Sequence, residues 1–82
     1  MALYSKQTRV KPDRVLAKAV AYFGPGGLGL EVCIQDPCSV SFTGGGGHVT
    51  ISTSSEGRKT SIELETREFD YQVKEFMRSI VR

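Results

Sequence analysis

One histidine, two cysteines and two clusters of glycine are the residues of this 82-residue chain whose types could do chemistry. A lone imidazole such as His48 acts as a general base only with an orienting acid or a nucleophile in reach. Ser39, Ser41, Ser52, Ser54 and Ser61 are expected on its face, with Glu63 opposite Thr50, so a serine–histidine–glutamate grouping can be drawn. It would lie on a flat, wet sheet with no pocket to exclude water, and catalysis is not expected there.

Cys33 and Cys38 flank a predicted hairpin loop, Cys33 pointing outward and Cys38 inward. Their Cβ vectors would not meet, so no disulfide is expected. Two thiols and one distant histidine also fall short of a four-ligand zinc site, and no metal or other cofactor is expected.

Gly24, Gly26 and Gly29 spell G-x-G-x-x-G. A dinucleotide site needs a strand before that motif and a helix after it, to bring a helix N-terminus to the pyrophosphate. Here the predicted order is reversed, and a helix-to-strand connector explains the glycines. Gly44, Gly45, Gly46 and Gly47 could form an anion-binding nest, but a strand follows and the Lys-Ser/Thr ending of a phosphate loop is missing. A hairpin loop is the plainer reading, although four glycines exceed what positive φ requires.

The basic residues are unevenly placed. Residues 1–20 hold Lys6, Arg9, Lys11, Arg14 and Lys18 against Asp13 alone, a net +4 that leaves −2 for the remaining chain. Arg9, Lys11, Arg14 and Lys18 are therefore the candidate anion-binding set. The plainer alternative is a solvated helix face.

The elements that must position these residues are readable from periodicity. Segments 28–35, 38–43, 48–54 and 58–66 alternate apolar and polar residues, as half-buried strands do. A four-glycine loop places His48 opposite Thr43, Val49 opposite Phe42 and Ile51 opposite Val40. A two-residue Glu56-Gly57 loop places Thr53 opposite Thr60, Ile51 opposite Ile62 and Val49 opposite Leu64. For the first hairpin the same parity demands a three- or five-residue loop, with Ile34 opposite Cys38 and Val32 opposite Val40.

Pro12 suits a first helical turn, and Leu16, Ala19, Val20 and Phe23 form one apolar stripe that Gly24 in a left-handed conformation, then Pro25, would end. Phe69, Val73, Phe76, Met77 and Ile80 form a second stripe, with Arg78 and Arg82 at its C-terminal end. Residues 2–10 favour an edge strand, although Lys6 interrupts its alternation.

The predicted fold is α+β, in the order β-α-β-β-β-β-α, as a single domain over 1–82. Its five-stranded antiparallel sheet has strand order 2-3-4-5-1, with two helices on one face. In architecture alone this order resembles a reduced helix-grip fold, that of START-like and Bet v 1-like ligand carriers. The resemblance implies a small apolar ligand between sheet and last helix, near Phe42, Leu64, Phe76 and Met77.

The open face is predicted to be rich in Ser and Thr and free of the aromatics that stack bases, which disfavours RNA binding there; nucleic acid is not an expected partner. No apolar run approaches the ~18 residues of a membrane span, no secretory signal is visible, and the cytoplasm is the expected location. The leading expectation is a non-catalytic binding or assembly module that self-associates by a sheet edge or by its hydroxyl-rich face.

Overall fold

The structure, a computed structural model, describes residues 2–80. Its elements run β1 (Ala2–Thr8), α1 (Pro12–Phe23), β2 (Glu31–Gln35), β3 (Ser39–Gly44), β4 (Gly47–Glu56), β5 (Lys59–Arg67) and α2 (Asp70–Ser79). The strands form one antiparallel sheet in the order β1-β5-β4-β3-β2, as the alternation predicts. Both helices pack on one face of it, around Val40, Phe42, Val49, Ile51, Ile62 and Leu64. Among the described residues no helix is long and apolar enough to cross a membrane.

Pro12 opens α1, and the stripe it buries is Val15, Leu16, Ala19 and Phe23. Phe23 is the keystone between the layers, its ring centroid 5.6 Å from that of Phe42 and 5.3 Å from that of Phe76. Gly24 departs from the left-handed cap expected of it and stays extended at φ −75°. The loop's own amides cap the helix instead: Leu28 N donates to Tyr22 O and Leu30 N to Phe23 O, each at 2.9 Å. The G-x-G-x-x-G run is thus a hydrogen-bonded helix terminus. Arg82 lies outside the described residues.

The four-glycine hairpin has the predicted register: Thr43 faces His48, Phe42 faces Val49 and Val40 faces Ile51. Gly44 and Gly47 pair within the ladder, and only Gly45 and Gly46 turn, at φ 58° and 83°. Two left-handed residues are the type I′ requirement. Gly47 is needed for a different reason, since a Cβ there would lie 2.8 Å from the Phe69 ring.

The β4–β5 hairpin keeps the predicted face but slips by two residues. Val49 faces Thr66, Ile51 faces Leu64 and Thr53 faces Ile62. The loop is Gly57-Arg58 rather than Glu56-Gly57, with Gly57 at φ 66° in the first turn position, which is the type II′ arrangement.

The first hairpin corrects the expected pairing outright. Val32 faces Phe42, Ile34 faces Ser41 and Gln35 faces Val40, with a bulge at Cys33. The extra residue reverses the parity beyond it, so Ile34 swings to the open face and is 60% exposed. Cys38, expected to point inward, is exposed in the turn between β2 and β3, and both cysteines are free.

Candidate functional site

The open face is built of lateral rows that cross the sheet. Leu3, Glu65, Thr50, Ser41 and Ile34 form one row, and Ser5, Glu63, Ser52 and Ser39 the next. A third runs through Gln7, Ser61 and Ser54. The hydroxyls bond one another, with Ser41 Oγ and Thr50 Oγ1 3.1 Å apart, and Cys33 Sγ lies 3.0 Å from Thr43 Oγ1. Ser52, Thr53, Ser54, Ser61 and Glu63 line a shallow hollow of about 170 Å³.

The two-residue slip of the β4–β5 hairpin puts Glu65, not Glu63, opposite Thr50. His48 Nε2 lies 3.8 Å from Glu65 Oε1, a loose ion pair when the imidazole is protonated. Among the described residues no hydrogen bond joins a serine to His48, and no three His, Cys, Asp or Glu side chains converge as a metal site would require.

The apolar set lies in the core. Phe42, Leu64 and Phe76 are fully buried and Met77 half-buried, and the Phe23 ring occupies the space between Phe42 and Phe76. A groove of about 260 Å³ does separate the helices on their outer side, lined by Lys18, Ala21, Tyr22, Phe76 and Ser79. Burial beside Phe23 and Phe76 raises the pKa of the Tyr22 hydroxyl.

The four basic residues are all exposed. Arg9 follows β1, Lys11 is the N-cap of α1, and Arg14 and Lys18 continue along the helix at i+3 and i+7. The three helix positions therefore share a stripe. Lys11 makes no side-chain cap and places its cation at the positive end of the helix dipole.

The residue that sequence reasoning missed is Lys6. It occupies an inward position of β1, opposite Ile62, and its Nζ donates to the carbonyls of Met77 and Ile80 at 2.6 Å each. Two positions earlier, the Tyr4 hydroxyl donates to Asp70 Oδ2 at 2.7 Å, which raises the tyrosine pKa. β1 thereby grips α2 at both ends. The available signal was the break in alternation itself, together with a helix whose C-terminus has no glycine cap.

The two sheet edges differ as a result. β2 is short, bulged and closed by Asp36, whose carboxylate accepts from the Cys38 and Ser39 amides and the Ser39 hydroxyl. β1 runs seven residues in unbroken register against β5, without proline or bulge, and its one charge is turned onto α2. Its outer edge carries Leu3, Ser5 and Gln7 on the open face, all exposed. No family model matches the sequence and no curated protein matches it significantly, so the functional reading rests on this geometry.

Proposed function

We propose that this chain is a non-catalytic assembly module that forms a homodimer through the outer edge of β1. The observation that carries the reading is the inward commitment of Lys6. Edge strands are ordinarily guarded by an outward charge, a proline or a bulge. β2 has the bulge, whereas the cation of β1 is spent on the carbonyls of α2. Residues 3–7 of β1 lie at the border of the described sheet, where their outward backbone groups would serve as a template for another strand, and pairing would add burial that so small a core lacks.

The ligand-carrier alternative draws less support, because Phe23 fills the space between Phe42 and Phe76. Two free, exposed thiols suit a reducing compartment, and the proposal places the module in the cytoplasm. Light scattering over a concentration series tests the reading. The expected outcome is a mass rising to twice that of the monomer at micromolar concentration or above. A mass that stays monomeric at high concentration removes it.

One observation favours a second mode of binding: Lys11, Arg14 and Lys18 form an exposed stripe with a cation at an unfavourable helix end. That stripe would hold polyanions weakly and lose them steeply with salt, as contacts made by Lys and Arg to phosphates do.

A further inference from the structure

We infer that the groove between α1 and α2, with the basic stripe that runs into it, is a docking site for an acidic protein segment carrying one large apolar side chain. This deepens the basic-stripe mode of binding and rests on it; the β1 edge plays no part. Lys11, Arg14 and Lys18 share one line along α1, and the next positions on that line are Ala21 and Tyr22. Lys18, Ala21 and Tyr22 are also three of the five residues that line the groove of about 260 Å³, with Phe76 and Ser79 across it. The cationic stripe thus opens directly onto an apolar floor.

Charge decides the sign of the occupant. Among the described residues no ion pair joins Lys11, Arg14 or Lys18 to a carboxylate. Asp13, the one carboxylate of α1, sits about 100° around the helix from Arg14. On the α2 side, Glu75 is engaged by Arg78 at 2.8 Å. The mouth of the groove therefore presents uncompensated positive charge, complementary to carboxylates.

Shape decides its kind. The Tyr22 ring lies 4.9 Å from that of Phe23 and 5.7 Å from that of Phe76, centroid to centroid, so aromatic packing holds the floor in place. Arg14 and Lys11 stand roughly 6 and 10 Å back along the helix axis from Lys18, about one and two turns. An acidic amphipathic helix whose carboxylates lie one and two turns from its apolar anchor meets the stripe and the groove together. A nucleic acid offers phosphates to the stripe and no aliphatic anchor to the groove.

Fluorescence anisotropy with labelled peptides tests this. One probe is an alanine–glutamate helix of about four turns with a single leucine, and its control has alanine in place of the leucine. At low salt the leucine peptide should bind roughly tenfold more tightly, as burial of one aliphatic side chain allows. Ala21→Gln, which fills the groove from an exposed helix position, should abolish that difference and leave salt-dependent binding in place. Arg14→Gln combined with Lys18→Gln should weaken both peptides by about tenfold. All three substitutions are at exposed positions, so thermal melts of the variants should match that of the unmodified chain.

Equal affinities for the two peptides, or a leucine advantage that survives Ala21→Gln, overturn the groove inference and leave the stripe reading standing. Tighter binding of a single-stranded oligothymidylate than of the leucine peptide overturns it in favour of nucleic acid. A chain that binds neither the peptides nor the oligomer at low salt overturns groove and stripe together.

Discussion

Among the described residues β1 and β2 are the two border strands of the same sheet. β2 inserts an extra residue at Cys33, turns Ile34 outward and closes through Asp36, so its ladder is short and irregular. β1 runs straight along β5 and directs Tyr4 and Lys6 onto the two ends of α2. The difference teaches that a charge on an edge strand guards that edge only when it points away from the fold. Lys6 is turned onto α2, and the edge it leaves unguarded is the one proposed to pair.

The largest expected effect concerns the helix that β1 grips. Phe76→Ala should destabilise the fold by ~3–5 kcal/mol, the range for truncating a buried aromatic. Ile34→Ala, at the exposed bulge of β2, should stay within ~0.5 kcal/mol. Urea melts of dilute protein measure both. A cost for Phe76→Ala below about 1 kcal/mol would place the anchor of α2 elsewhere.

A smaller effect tests the inward role of Lys6. Lys6→Met should cost about 1–2 kcal/mol, through loss of charge-assisted bonds to the last carbonyls of α2. Lys59→Met, on the exposed face of β5, serves as the reference. Equal losses at the two positions would show that the β1 cation guards its edge after all.

The regions should also differ in their response to pH. The hydrogen bond from Tyr4 to Asp70 holds the tyrosine pKa above its ordinary value. That contribution is full below the ordinary tyrosine range and is lost as pH rises through the raised value. At the β2 turn the Cys38 amide, with the hydroxyl and amide of Ser39, holds the Asp36 carboxyl below its ordinary range. This second contribution is present above the ordinary carboxyl range and is lost as pH falls through the lowered value. Stability–pH profiles should therefore lose part of their alkaline dependence in Tyr4→Phe and part of their acid dependence in Asp36→Asn. The reverse assignment would contradict the hydrogen-bond directions.

Much of the fold was legible because parity survives small errors. The Gly45-Gly46 turn fixes its register from sequence, since both residues must be left-handed. The Gly57 turn did not, because one glycine suits either the first or the second turn position. The resulting slip of two residues preserves the buried face but exchanges Glu63 for Glu65 beside His48. A bulge leaves no mark in an alternation pattern beyond the anomaly it cures. Parity alone asks the first hairpin for a three- or five-residue loop with Ile34 opposite Cys38, whereas an extra residue at Cys33 sets Ile34 opposite Ser41. The surplus glycines, too, have reasons that are tertiary: Gly44 meets Leu30 and Gly47 meets the ring of Phe69. The role of Lys6 is visible in the sequence only as an exception, because no local rule pairs it with carbonyls more than seventy residues away.

The most direct test of edge asymmetry is the mass, by sedimentation, of Ser5→Glu and Ile34→Glu beside the unmodified chain. Ser5 faces Glu63 on β5, so the first substitution sets a second carboxylate beside an existing one at the edge proposed to pair. Ile34 faces Ser41 at the bulged edge, where the account places no partner. The account predicts that Ser5→Glu is monomeric at concentrations where the unmodified chain and Ile34→Glu are dimers. A dimer that survives Ser5→Glu and dissociates with Ile34→Glu would contradict it.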